Sequence, residues 1–321
     1  MTKKITVCLC FIFVLEIHAQ NQPLYTLFDV CKNYYNPAFT AYECKTSAYM
    51  AGTYQYKNYS PYPMVSTYFY PLTEKKFILD LSTPIKIKGK QKLGIGFNYS
   101  RIDQQFEVKN NFRLNLSYMQ EIGKGRLLFG ANLDRMSHQL KFPEYDIFNP
   151  AITIDWQSVN TGFGLAYHSN LRNFYIGISS NYLLPNTIYV KESNPPFSLS
   201  YHKDLYLMSG IDIKLNKNLT LKPSFCWQYR DVSSISTNVL AEYKTKYKIG
   251  FTYQTGADLA GIRLGYQIKS FGIDYVYNLA LSKIISVSTG MHTVGLHYTL
   301  NKIPTPPNTV FNKPLPTHVN P

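Results

Sequence analysis

Between Tyr247 and Ile268 the chain alternates twice with a period of two residues. Tyr247, Ile249, Phe251 and Tyr253 point to one side, and Lys248, Gly250, Thr252 and Gln254 to the other. Residues 255–259 turn the chain, after which Ile262, Leu264, Tyr266 and Ile268 repeat the apolar face against Gly261, Arg263, Gly265 and Gln267. A strand pair of this kind has one face to hide and one that is small and polar. In a water-soluble sandwich the apolar face would meet a core and the other would carry charge. Here the polar face is short and rich in glycine, as a crowded barrel interior requires, and tyrosines mark the ends of the apolar face. Aromatic residues bordering an apolar band are the pattern of a barrel in a membrane.

The same unit recurs along the chain. Leu93, Ile95, Phe97 and Tyr99 face outward against Gly94, Gly96, Asn98 and Ser100; Phe112, Leu114, Leu116 and Tyr118 against Arg113, Asn115 and Ser117; and Leu127, Phe129, Ala131 and Leu133 also face lipid. Further strands are expected over 46–56, within 64–85, and over 161–167, 174–180, 205–215, 219–229, 237–243, 271–277 and 293–300. The fold expected is all-β: a single transmembrane antiparallel barrel of about 14 strands, each near the roughly 9–11 residues that a tilted membrane strand needs. Composition agrees, with 28 Tyr and 19 Phe against 2 Trp, only 16% charged residues and a mean hydropathy of −0.20. No run beyond residue 19 is apolar enough for a spanning helix of about 20 residues.

Four segments follow. Residues 1–19 read as a secretory signal peptide, with Lys3 and Lys4 ahead of an apolar stretch and Ile17-His18-Ala19 before Gln20. Cleavage there removes Lys3, Lys4 and Glu16 and takes the formal charge from +14 to +13. Residues 20–44 do not alternate and are expected as a periplasmic N-terminal segment, a lead-in or partial plug ahead of the barrel of residues 45–300; a simple surface loop is the alternative. Within this segment, Asn36-Pro37 is a turn signal. Cys31 and Cys44 share it, and an exported compartment would permit a disulfide; two free buried thiols are the other possibility. Residues 301–321 carry Pro304, Pro306, Pro307, Pro314, Pro316 and Pro321, a density that forbids a ladder and favours an extended tail.

Connection lengths orient the barrel, because such barrels have short turns on the periplasmic side and long loops outside. Short connections are expected at 86–91, 121–124, 170–173, 216–218, 244–245 and 269–270, and long ones from Lys57, over 139–160, over 184–203 and over 280–289. Basic residues gather at the short-turn end: Lys86, Lys88, Lys90, Lys124, Arg126, Arg172, Lys217, Lys244 and Lys246, joined by Lys92, Lys214 and Lys269. They form either a solvated rim or a ring that docks an acidic periplasmic partner. The mature histidines stand in no metal-holding spacing. Ser137-His138 and His168-Ser169 are adjacent on strands, so each pair points to opposite faces and cannot act as nucleophile and base. No cofactor is expected, and no nucleic-acid module is present. Arg113 and Arg263 point inward, as do Asp212 and Lys214, and pairing to fill the lumen is the expected role of such groups.

The stretch Tyr35-Asn36-Pro37-Ala38-Phe39-Thr40-Ala41 resembles the N-terminal motif of the PorP/SprF family of Bacteroidota outer-membrane proteins. Tyr54-Gln55-Tyr56 with Pro63 is similar to the family's Gln-aromatic pair. Thr83-Pro84-Ile85 with Leu93-Gly94-Ile95-Gly96 resembles its next hairpin, and Gly290-Met291-His292 its closing Gly-x-His. The chain departs from the pattern at Thr40-Ala41, where the family usually has Ala-Gly, at Tyr56 in place of Trp, and at Thr293 in place of Glu. The resemblance implies a non-enzymatic barrel of the type IX secretion and gliding machinery that helps particular cargo, such as adhesins with type B C-terminal domains, to reach and stay on the surface. Its partners would be outer-membrane lipid, secreted adhesin-like cargo, the type IX translocon and periplasmic components. A porin or solute channel is the alternative.

Overall fold

A computed structural model describes residues 25–58, 71–87, 90–104, 107–142, 152–169, 173–184, 186–190, 197–201, 203–230, 233–255, 258–281 and 288–300. The expected signal peptide, the proline-rich tail, Lys88 and Arg172 lie outside the described residues. So do parts of the expected long loops.

The strands are β1 (Thr46–Asn58), β2 (Pro71–Ile87), β3 (Lys90–Gln104), β4 (Glu107–Ile122), β5 (Gly125–Phe142), β6 (Ile152–Ser169), β7 (Phe174–Asn181), β8 (Asn186–Val190), β9 (Phe197–Tyr201), β10 (Asp204–Gly210), β11 (Ile213–Lys214), β12 (Leu219–Tyr229), β13 (Ser233–Tyr243), β14 (Tyr247–Gln254), β15 (Leu259–Ile268), β16 (Phe271–Ala280) and β17 (Ser288–Leu300). Each pairs antiparallel with its sequence neighbour in the wall. The ring closes where β1 meets β17, with Thr46 opposite Leu300 and Thr53 opposite Thr293. Counting β10 and β11 as one interrupted strand, the wall is a closed antiparallel barrel of 14 strands. Closure matters physically, since a strand edge in hydrocarbon would leave backbone N–H and C=O groups unpaired. Among the described residues no helix is long and apolar enough to cross a membrane.

The interruption after Gly210 has a local cause. The register of β10 and β11 against β12 is continuous, with Gly210 opposite Ser224 and Ile213 opposite Leu221. Pro223 therefore falls opposite Ile211. Its carbonyl accepts from the Ile211 N–H at 3.2 Å, but proline has no N–H to return, and the ladder lapses there.

Strand lengths depart from expectation at the end away from the short turns. Residues 139–160 were expected as a loop, yet β5 runs on to Phe142 and β6 begins at Ile152, paired from Phe142–Ile152 down to Gly125–Ser169. Beyond the lipid band the outward positions of β6 become Thr153, Asp155 and Gln157, all exposed. Backbone pairing persists where the apolar alternation that marks a strand in sequence has ended. The expected loop 184–203 contains a separate hairpin, β8–β9, paired from Asn186–Tyr201 to Val190–Phe197. At this end β3 and β4, β12 and β13, and β14 and β15 are separated by only a few residues.

The outer wall carries the apolar band. Leu114, Leu133, Phe163, Ile178, Ile249, Ile262 and Leu264 are each at least half exposed. At the short-turn end Tyr118, Tyr243, Tyr247, Tyr266, Phe271 and Tyr298 border it as an aromatic girdle. So continuous an exposed apolar surface belongs against lipid. Replacing Leu264, at the middle of β15, with arginine is expected to destabilise the barrel by about 2–4 kcal/mol; urea unfolding in vesicles, followed by loss of heat-modifiable gel migration, measures it.

Candidate functional site

The lumen is not empty. The described part of the N-terminal segment, expected as a periplasmic lead-in or a partial plug, crosses the barrel interior as a plug made of a 3-10 turn (Tyr25–Leu27), a single helical turn α1 (Lys32–Tyr35) and a second 3-10 turn (Pro37–Phe39). The molecule's hydrophobic core lies at this contact. Leu27, Phe28, Cys31, Tyr35, Ala38 and Phe39 are almost fully buried against Tyr49, Ile78, Leu128, Met208 and Val276 of the inner wall. Tyr34, Tyr35 and Tyr206 meet edge to face at 5.2 and 5.5 Å, as do Phe39 and Tyr175 at 5.4 Å.

The expected motif Asn36-Pro37-Ala38 fixes the plug's path. Asn36 Oδ1 accepts the Ala38 N–H at 2.9 Å and caps the second 3-10 turn, which opens with Pro37. Its Nδ2 donates to the Leu165 and Ile178 carbonyls, at 3.4 and 3.1 Å, which face each other across β6 and β7. The wall is hollowed to receive it. A Cβ at Gly130 would collide with Pro37 and Ala38, at Gly164 and Gly177 with Asn36, and at Gly94 and Gly96 with Thr40. Inward glycines read in sequence as relief of strand crowding are here a trench for a second chain segment.

Two buried arginines on nearly opposite walls clamp the plug. Arg113 of β4 pairs with Asp134 of β5, its direct cross-strand partner, through Nε at 2.5 Å and Nη2 at 3.1 Å, while Nη1 donates to the Tyr34 carbonyl. Arg263 of β15 donates from Nε to Asp274 at 3.1 Å and from Nη1 to both oxygens of Asp29 in the plug, at 3.0 and 2.8 Å. Smaller ties complete the set. Asn33 donates to Asp80 at 2.8 Å, Ser179 and Asn181 to the Tyr35 carbonyl at 2.9 and 3.0 Å, Ser117 to the Thr40 carbonyl at 2.7 Å, and Asn238 to the Thr26 carbonyl at 3.0 Å. The inward arginines were legible as lumen-filling groups, but their partners are Asp134, Asp274 and Asp29. Asp212 instead accepts from Asn173 at 2.8 Å, and Lys214 is exposed.

Leaving the plug, the chain turns sharply into β1. Ala41 and Cys44 hold φ of 51° and 60°, and the Cys44 N–H donates to the Ala41 carbonyl at 2.9 Å. Position 41 is thus one where glycine carries no steric cost, and this chain places alanine there. No disulfide joins Cys31 and Cys44; both are thiols. Cys31 is fully buried and donates to the Leu27 carbonyl at 3.3 Å, and burial, with Asp80 and Asp29 nearby, pushes its thiol well above the usual range. Cys44 is half-buried and receives Arg126 Nη1 at 3.1 Å.

At the short-turn end the plug's underside and the mouth of the barrel enclose a vestibule of about 420 Å³. Lys32 lies at its roof, donating to Tyr42 Oη at 2.7 Å between the rings of Tyr42 and Tyr175; burial lowers its ammonium from the ordinary lysine range. Tyr42 in turn donates to Glu43 at 2.9 Å. On the wall Lys222 pairs with Glu242 at 3.0 Å, beside Lys248. Of the expected rim, Lys86 near the end of β2 and Lys124, Lys217, Lys244 and Lys246 on connections are exposed at this end. Lys90 begins β3 there. Arg126 leaves the rim: it turns inward and donates to the Tyr42 carbonyl at 2.9 Å, fastening the plug's exit. Sequence reasoning missed Asp29 and Asn33 as anchors, though polar residues spaced among buried aromatics in a non-alternating segment are the trace such anchors leave.

Residues 17–298 match the protein family described as Type IX secretion system membrane protein PorP/SprF. No curated protein matches the chain. Among solved structures the chain resembles the toluene transporter TodX of Pseudomonas putida, with a TM-score of 0.52 at 10% identity over 90% of this chain and 100% of that one. It also resembles the deltaS2 mutant of the TodX monoaromatic hydrocarbon channel, with a TM-score of 0.53 at 11% identity over 83% and 93%. Identities this low establish likeness of fold alone.

Substituting Gly130 with valine sets a side chain against the Pro37–Ala38 backbone. The barrel is expected to form with its plug displaced, giving a higher single-channel conductance in planar bilayers than the native protein. Under native conditions a maleimide reagent is expected to modify Cys44 and to spare Cys31 until the protein is unfolded, with no change between reduced and non-reduced samples; mass spectrometry reads both.

Proposed function

Because the chain belongs to the PorP/SprF family of type IX secretion system membrane proteins, we propose that it is a non-enzymatic outer-membrane partner of that machinery, assisting export and surface attachment of adhesin-like cargo with type B C-terminal domains. The observation that carries this reading is the plugged lumen. A porin needs an open polar path, and here residues 25–44 fill the lumen and are held by charge-assisted bonds to two buried arginines. Removing one partner of such a buried pair costs about 3–5 kcal/mol, so the plug is a built part of the resting barrel. A barrel that is closed at rest and faces the periplasm with its lysine-bearing mouth suits an accessory that engages proteins at its ends. Gliding machinery and periplasmic components belong to the same proposal.

Surface proteomics of a strain deleted for this gene, set against its parent, tests it. Loss of one or a few large adhesin-like proteins from the surface, with their accumulation inside the cell, is the expected result. An unchanged surface proteome together with slower uptake of a small solute would instead establish the channel reading.

A further inference from the structure

The short-turn mouth combines three features. The lysines exposed there, described above, are joined by exposed Lys45, Lys214 and Lys269, against Glu43 and Glu121 as the exposed carboxylates of this end among the described residues. The ring runs over the β2–β3, β4–β5, β11–β12, β13–β14 and β15–β16 connections, around most of the circumference, which is beyond the span of a small ion. It surrounds a vestibule whose volume falls in the range of about 300–1,000 Å³ typical of ligand sites, enough for a few side chains.

Inside the vestibule the carboxylates are already engaged. Glu242 holds Lys222 at 3.0 Å, Asp212 accepts from Asn173 at 2.8 Å, Glu43 from Tyr42 at 2.9 Å, Asp80 from Asn33 at 2.8 Å, and Asp29 from Arg263 at 2.8 Å. Among the described residues Lys45 and Lys248, both lining the cavity, have no carboxylate within ion-pair distance. The anions are engaged, while Lys45 and Lys248 stand outside direct ion pairs, Lys248 with Asp274 and Glu242 as its electrostatic neighbours.

From this juxtaposition we infer that the mouth is a docking site for an acidic peptide segment of a periplasmic protein, with the ring drawing it in and the tip of the segment entering the vestibule beside Lys248. The inference rests on the outer-membrane reading above for which end faces the periplasm. Anionic lipid headgroups are a poorer fit, because Lys248 faces the lumen and a bilayer presents its headgroups to the outer wall. Complementary charge of this kind acts chiefly on encounter and specificity, and it weakens with salt.

The test uses the purified full-length barrel in phosphatidylcholine nanodiscs, a fluorescein-labelled octaglutamate probe and an octalysine control, with anisotropy as the readout. Octaglutamate is expected to bind at low salt and octalysine to show none. The combined charge reversal Lys217→Glu, Lys244→Glu and Lys246→Glu is expected to weaken binding by about tenfold or more. Lys248→Gln should weaken it several-fold, and Lys75→Glu, at the opposite end, should leave it unchanged. Heat-modifiable migration verifies that each variant is folded. Equal affinity across all variants, or no binding by the native barrel, overturns the inference. Insensitivity to Lys248→Gln alone overturns entry into the vestibule, and loss of binding when phosphatidylglycerol is added to the discs assigns the ring to lipid. Cargo loss in the deletion strain without peptide binding would leave the export reading standing and overturn only this one; binding with an unchanged surface would do the reverse.

Discussion

Arg113 and Arg263 set the architecture of the interior. Each is at most 2% exposed, so each guanidinium must find its donors' partners inside the protein or the barrel would carry an uncompensated charge. The wall supplies Asp134 and Asp274, and the plug supplies the rest: the Tyr34 carbonyl on one side and the Asp29 carboxylate on the other. A lumen built around these two residues is complete only when the N-terminal segment crosses it. The glycine trench, the buried tyrosines and the polar ties from Ser117, Ser179 and Asn181 all accommodate that crossing.

The wall obeys a different constraint. Lipid cannot satisfy backbone groups, so the ring must close. It is nevertheless uneven. β5 and β6 pair over their full lengths, from Phe142–Ile152 to Gly125–Ser169, whereas β10 meets β7 and β12 over short ladders, and Pro223 interrupts the seam just where the vestibule lies. The tall side stands beyond the membrane and the interrupted side faces the short-turn mouth. Two ends of one barrel are thereby differentiated, one by projecting strands and a separate hairpin, the other by lysines and a polar cavity.

This differentiation connects the fold to a role in secretion. The family assignment places the chain with type IX secretion membrane proteins, while the fold alone is shared with channels such as TodX. Here the lumen holds a segment with its own core, caps and ion pairs, and the vestibule beneath it is a pocket rather than a passage.

The sequence by itself determined the wall. Strict alternation, tyrosines at the ends of apolar runs and inward glycines depend only on the period-two geometry of a strand and on the solvents at its two faces, so the strand count, the orientation of side chains such as Phe251 and Gly96, and the lysines of the short turns were all legible. Where outward positions turn polar, as at Thr153 and Asp155, that signal ends before the strand does, and β5 and β6 outrun it. The tertiary structure alone decided the plug. Residues 25–44 have no period, and whether Asn36 caps a surface turn or bridges β6 and β7 depends on contacts more than a hundred residues distant in the chain. The same holds for Cys31 and Cys44, close in sequence yet fixed as separate thiols because one packs into the plug's core and the other faces Arg126 at its exit.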